Sequence, residues 1–149
     1  MEVSVTDNGA DFYHLIKTSE SYYIVFEKKK YRAYNHDEKI SFFVIASEND
    51  QTPCTLLVQE KVLFKEEIKA ENSFLSDTPA NFRRIKDQYF LKFGVQGIVA
   101  IPKKTKDFIP LFPAHNSLIK KYISSHKLKT KNPKDVLEIV RYYNSLMKN

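Results

Sequence analysis

The chain holds no tryptophan, a single cysteine and only three glycines among 149 residues. With Cys54 alone, no intrachain disulfide can form, which excludes the stapled scaffolds of small secreted domains. So few glycines argue against glycine-rich phosphate loops, repeat solenoids and long flexible linkers. Neither the P-loop nor the dinucleotide fingerprint occurs. C-x-x-C, H-E-x-x-H, the calcium-binding EF-hand loop and the G-x-S-x-G nucleophile elbow are missing too. No apolar run approaches the roughly 18 residues that a membrane-spanning helix needs. Residues 1–20 carry no basic start followed by an apolar stretch, so no secretory signal is read there. The reading is therefore a non-enzyme with no catalytic, metal or cofactor residues.

What is present is aromatic and β-branched. Eleven Phe and nine Tyr accompany a hydrophobic fraction of 42%. One domain, 1–149, is the expectation for this length. It should bury about 68–70% of its unfolded surface and hold without a disulfide or metal. Charge is uneven. Residues 1–102 carry 13 Lys and Arg against 15 Asp and Glu, a net of −2, whereas residues 103–149 carry 11 against 3, a net of +8. That asymmetry suits an anionic partner. It suits a solvated lysine face just as well, and the solvated face is the first reading. If the face has a partner, Lys120, Lys121, Lys127, Lys129 and Lys131 are the candidate anion-binding residues.

Residues 1–11 are polar, contain Asn8-Gly9 and read as a loose lead-in. Phe12–Lys17 is a candidate strand, and Thr18–Ser21 carries turn chemistry. Tyr22–Phe26 and Tyr31–Tyr34 read as a hairpin around a polar turn, Glu27–Lys30. Asn35–Glu38 is the next break. Ile40–Ala46 is apolar on both faces, which predicts a central, doubly covered strand. Cys54–Gln59 and Val62–Phe64 flank Glu60-Lys61 and read as a second hairpin or one bulged strand. Lys65–Leu75 is ambiguous, and Phe82–Ile85 is a short strand. A hairpin follows at Tyr89–Phe93 and Ile98–Ile101, with Gly94 and Gly97 supplying the turn. Pro102 ends it.

Helices take over from there. Thr105 reads as the N-cap of a short helix limited by Pro110 and Pro113. Leu118, Ile119, Tyr122 and Ile123 form one apolar stripe. The last helix has the clearest boundary, with Asn132 as N-cap, Pro133 at N1 and Asp135 at N3. Val136, Ile139, Val140, Tyr143, Leu146 and Met147 form its buried stripe, while Lys134, Glu138, Arg141 and Asn144 point away.

Chemistry is sparse. Cys54 lies in an apolar strand, where a thiol ionises poorly. His36 adjoins Asp37 and Glu38, but one local cluster fixes no triad or metal geometry, and a turn histidine is the simpler reading. Glu66, Glu67, Asp77 and Asp87 could include a glycosidase-type pair, yet solvated carboxylates are the plainer account. Tyr22-Tyr23 with Lys28-Lys29-Lys30, Tyr31-Arg32, Tyr122 and Tyr142 offer aromatic and basic groups of the kind used on single strands. The RNA-recognition pattern is absent and the basic residues are mostly Lys, so nucleic acid is the lesser reading.

The stretch 89–145 resembles a C-terminal pattern of small, uncharacterised bacterial exported or envelope proteins. The likeness rests on Tyr89-Phe90-Leu91-Lys92, Phe108 with Leu111-Phe112, Ile119-Lys120-Lys121-Tyr122-Ile123, Lys127-Leu128-Lys129, and Asp135-Val136 through Ile139-Val140-Arg141-Tyr142-Tyr143-Asn144. It implies a β-rich domain closed by basic helices, and it implies no activity and no site residues.

The expectation is an α+β fold: an antiparallel β-sheet or partly open barrel of about seven or eight strands, followed by two or three C-terminal helices. Residues 1–102 form the β-rich part, and residues 103–149 form a basic helical tail packing on it. The expected function is a non-enzymatic envelope or exported surface-binding module with a protein or anionic partner. The alternatives are a cytosolic anion- or nucleic-acid-binding module using the tail, and an enzyme whose cleft only the fold reveals. The expected location is the periplasm or cell envelope where a leader has been removed ahead of Met1, and the cytoplasm otherwise.

Overall fold

The computed structural model describes residues 2–4, 12–14, 22–70, 76–94 and 97–148. The Asn8-Gly9 turn, Thr18–Ser21 and the 71–75 part of the ambiguous stretch lie outside the described residues. The fold is α+β, with an open antiparallel sheet of strand order β10-β9-β6-β5-β4-β3 and, among the described residues, no closed barrel. The chain divides into two compact units, 1–43 and 44–149, and the division falls within β5.

In the first unit, β1 (Glu2–Ser4) pairs antiparallel with β2 (Phe12–His14). The loose lead-in of the sequence reading thus holds a strand. β3 (Ile24–Phe26) pairs with β4 (Lys29–His36), and β5 (Lys39–Ile45) follows. Both connections are two-residue turns, Glu27-Lys28 and Asp37-Glu38, with φ of 47°, 64°, 51° and 59°. Two successive positive φ values define the type I′ hairpin turn, whose twist matches the strands. Because Gly and Asn are its usual residues, the sequence set these turns too wide, and Lys29 and Lys30 belong to β4. Tyr31, Ala33, Tyr34 and Phe43 are buried, and the Tyr34 and Phe43 rings lie 6.1 Å apart.

In the second unit, β6 (Cys54–Gln59) pairs with β9 (Gln88–Phe93) over six residues, from Cys54↔Phe93 to Gln59↔Gln88. β9 pairs in turn with β10 (Ile98–Ala100). Gly94 and Gly97, at φ 48° and 114°, take the left-handed conformations that their turn needs. The strand covered on both faces is β6, where Cys54 through Leu57 are all buried. In β5 only Phe43 and Val44 are buried, and Ile40 is 42% exposed.

β6 and β7 (Val62–Lys65) are neither a hairpin nor one bulged strand, as the sequence had suggested. β7 leaves the large sheet and pairs instead with β8 (Asn81–Arg84) as a separate ribbon. Glu60-Lys61 is the departure point. There Arg84 binds Glu60 at 2.8 Å and Asp87 at 2.9 Å, tying the ribbon's base.

The helical segment covers one face of β6 and β9. Cys54, Leu56, Leu91 and Phe93 meet Phe108, Phe112, Ile119, Ile123, Val136, Ile139, Val140 and Tyr143 in one buried cluster. Register explains the set, since Cys54↔Phe93 and Leu56↔Leu91 are cross-strand pairs that share a face. Phe93 stands edge-on to Phe112 and Tyr143, at 5.6 and 6.0 Å, and Phe108 edge-on to Phe112 at 5.3 Å. Edge-to-face pairs of this kind add about 0.5–1.5 kcal/mol beyond burial.

α1 (Thr105–Phe108) begins one residue earlier than a Thr105 cap would place it. The cap is Lys104, and the Thr105 hydroxyl lies 3.1 Å from that of Thr130. A 3-10 turn (Ile109–Leu111) leads to α2 (Asn116–Ser125). Ile119 and Ile123 are buried there, while Leu118 is 40% exposed and leaves the stripe. α3 (Pro133–Leu146) starts as read: the Asn132 side chain accepts from the Lys134 N–H at 3.1 Å, and Pro133 sits at N1. The Asp135 carboxylate accepts from the Lys129 N–H and from the Asn132 amide. Val136, Ile139, Val140 and Tyr143 are buried, whereas Met147 is 43% exposed and caps the helix.

One residue reverses its expected side. Asn144 does not point away; it is buried, 8% exposed. It follows Val140 by four residues, so helical spacing puts it on the buried stripe.

Candidate functional site

Among the described residues, no group of three or more His, Cys, Asp and Glu could hold a metal ion. Burial pushes the Cys54 thiol well above the usual cysteine range, so it is a core side chain and no nucleophile at neutral pH. The His36 Nε2 lies 3.4 Å from the Asp37 carboxylate and its ring stands edge-on to Phe43 at 6.4 Å, at the end of β4. Of the carboxylates considered for acid–base work, Asp87 is held by Arg84, and Asp77 accepts from the Ala70 N–H at 2.7 Å. Asp87 thereby holds the Arg84 guanidinium above its ordinary value, first through the hydrogen bond and then through its charge.

The basic tail places its five candidate lysines apart. Lys120 and Lys121 lie on α2, Lys127 follows its C-terminus, and Lys129 and Lys131 lie in the turn before α3; all five are exposed. Lys127 has φ 53°, and the Leu128 N–H returns to the Ile123 C=O at 3.0 Å. This is the left-handed residue of a Schellman closure, a position that usually takes glycine. Three rings of the tail lie together. Tyr122 lies 3.9 Å from Tyr142 with planes 8° apart, and 4.1 Å from His126. The Tyr122 hydroxyl donates to Glu138 at 3.1 Å. Desolvation first, and Glu138 second, push that phenol above its ordinary value. These contacts tie α2 to α3, since Tyr122 lies on α2 and His126 caps its C-terminus, while Tyr142 and Glu138 lie on α3.

The ribbon presents a different surface. Val62, Phe64 and Phe82 are 59%, 51% and 76% exposed, and Leu63 and Ile68 are 49% and 67% exposed. Phe64 and Phe82 are directly opposite in register, with ring centroids 4.9 Å apart. Cross-strand partners share a face, so Val62, Phe64 and Phe82 lie on one face with Arg84, the partner of Val62, and Leu63 lies on the other with Arg83.

Comparison with known proteins finds no matching family model, no matching curated protein and no matching solved structure. The envelope-protein likeness gains no support from the comparison.

The sequence pointed to lysines and passed over the ribbon. Its signal was present in part: Val62-Leu63-Phe64 is a continuous apolar triplet, and the alternation of a half-covered strand is missing. The unusual feature, a strand apolar on both faces yet buried on neither, needs coordinates.

Proposed function

We propose that the chain is a non-enzymatic protein-binding module whose contact surface is the β7–β8 ribbon. The observation that carries this reading is the adjacent exposure of Phe64 and Phe82 on a ribbon of only two strands. Contiguous apolar exposure marks interaction surfaces. Isolated two-strand hairpins are also marginal in water, so a third strand or a packed face would stabilise this one. An envelope or exported setting is part of the proposal. Its support is the likeness of residues 89–145 to small envelope proteins; the lone cysteine fits either side of the inner membrane. No helix among the described residues is long and apolar enough to cross a membrane.

The test is a photoreactive phenylalanine analogue placed at position 82 and, separately, at position 121, irradiated in the native cell. A discrete protein adduct from position 82 is expected. No adduct at position 82 would contradict the reading.

A second reading, anion or nucleic-acid binding by the tail, has its own observation. Lys120, Lys121, Lys127, Lys129 and Lys131 are all exposed, on a tail that also carries the adjoining rings of Tyr142, Tyr122 and His126. Retention on a nucleic-acid column that falls steeply between low and moderate salt supports it. No retention at low salt removes it.

A further inference from the structure

Tyr122 on α2 and Tyr142 on α3 face each other in parallel, with ring centroids 3.9 Å apart and planes 8° apart. Aromatic pairs held for packing alone prefer offset or edge-on arrangements with centroids roughly 4.5–7 Å apart. Phe93, Phe108, Phe112 and Tyr143 in the core follow that preference. The tyrosine pair is closer and flatter, so carbons of one ring overlie carbons of the other. Both rings are part-exposed, within reach of a small oxidant. We propose that this pair is a site of oxidative modification, where a peroxide-driven one-electron oxidant joins the two rings by a carbon–carbon bond and fastens α2 to α3.

The surroundings suit that chemistry. The Tyr122 hydroxyl donates to the Glu138 carboxylate at 3.1 Å, so a base stands ready for the phenol proton as the electron leaves. Glu138 precedes Tyr142 by one helical turn, and helical side chains lean toward the N-terminus, so the Tyr142 ring leans toward the same carboxylate. The Tyr142 phenol also contributes to the upward push on Tyr122 through its charge. The two hydroxyls thus share one end of the pair, with the carbons beside them in register. His126 covers the other face of Tyr122 at 4.1 Å, and its Nδ1 lies 3.1 Å from the Tyr122 C=O. That leaves the face toward Tyr142 as the one that reacts. Rings already in contact couple as an intramolecular step, ahead of any second molecule. Cys54 is fully buried and does not compete.

The step balances. Each phenol gives one electron to the oxidant and releases one proton, that of Tyr122 by way of Glu138. The two phenoxyl radicals join at the carbons next to their oxygens. The hydrogen on each of those carbons then moves to its own oxygen, restoring both phenols. The pair has lost two hydrogens, and one hydrogen peroxide has become two waters.

The test treats the full chain with a haem peroxidase and one equivalent of hydrogen peroxide, followed by dityrosine fluorescence, intact mass and peptide mapping. The expected product is a monomer lighter by two hydrogens, with the peptides of Tyr122 and Tyr142 joined and a yield that dilution does not change. Tyr122→Phe and Tyr142→Phe keep the rings and remove one phenol, and each should lower that yield at least about tenfold. Glu138→Gln keeps an acceptor but removes the base, and should slow the reaction by about tenfold. Tyr23→Phe, at a tyrosine 53% exposed in the first unit, should change nothing. A first product that links other tyrosines or two molecules, a yield unaffected by Tyr142→Phe, or a rate indifferent to Glu138→Gln would overturn the assignment.

Discussion

Asn144 on α3 accepts a hydrogen bond from the Cys54 N–H and returns one to the Cys54 C=O, each 2.8 Å long, across 90 residues of chain. The side-chain amide does what a neighbouring strand would do. β5 stops pairing with β6 at Ile45↔Leu57, so the start of β6 is left with unclaimed backbone groups. Ala46 N–H reaches the Leu56 C=O at 2.9 Å, and the Ser47 hydroxyl accepts from the Leu56 N–H at 2.8 Å. Asn144 takes the next residue. A buried backbone group without a partner costs about as much as a lost hydrogen bond. The helix is thus joined to the sheet by a polar lock as well as by apolar packing.

Asn144→Ala should therefore cost about 1–3 kcal/mol, because the buried Cys54 N–H loses its partner while the Cys54 C=O keeps the Thr52 hydroxyl at 2.8 Å. Asn144→Asp is the finer probe. A carboxylate can still accept from the Cys54 N–H but opposes the C=O, so its proton is needed to restore the second bond. Its deficit should shrink as pH falls toward 4 in urea melts. A deficit that does not change with pH would contradict the paired geometry.

Cys54 carries a pH signature of its own. Burial raises its thiol in the folded chain, so the folded state keeps its proton where the unfolded state, near 8.5, has lost it. Stability is thus complete below the unfolded value and falls as pH rises above it, by up to about 1.4 kcal/mol per unit. Tyr143, also raised by burial, adds to the fall from about pH 10. Denaturant melts at pH 7, 9 and 10 should show this decline, with a shallower slope in Cys54→Ala between pH 8.5 and 10. An identical slope in both proteins would show that the thiol is not the source.

The ribbon and the core should respond oppositely to truncation of a phenylalanine. Phe112 is fully buried between Phe93, Phe108 and Tyr143, and Phe112→Ala should cost about 3–5 kcal/mol. Phe82, 76% exposed, should tolerate Phe82→Ser within about 0.5 kcal/mol at low protein concentration. Equal losses at both positions, measured by equilibrium unfolding, would mean that Phe82 is covered in the folded chain.

Lys127 occupies a left-handed position without being glycine. Lys127→Gly should leave the fold intact and stabilise it by up to about 1 kcal/mol, by relieving that conformation. If the charge at this position serves an anion, the same substitution should weaken retention on heparin. Unchanged retention would assign the lysine to the solvated face.

Much of this was legible from the residues. The α+β order, the Gly94–Gly97 hairpin and the Asn132-Pro133 helix start follow from local rules that their residues obey. What escaped had a common cause. The Glu27-Lys28 and Asp37-Glu38 turns use residues that rarely adopt positive φ, so composition did not mark them. Asn144 was placed outward for its polarity, although its spacing from Val140 put it inward; only the unclaimed edge of β6 makes that burial favourable. The departure of β7 from the sheet depends on the Glu60–Arg84–Asp87 clasp between distant residues, which no local pattern shows. The five lysines are exposed, and exposure by itself gives them no ligand.

Removing α3 tests the account most directly, because that helix supplies Val136, Ile139, Val140 and Tyr143 to the face of β6 and β9 and Asn144 to its open edge. A chain ending at Lys131 should be followed by heat and urea with both secondary- and tertiary-structure probes. The expected result is loss of cooperative unfolding in residues 44–131, with exposed apolar surface and aggregation. A sharp transition at the temperature of the full chain would show that the sheet does not depend on the helix.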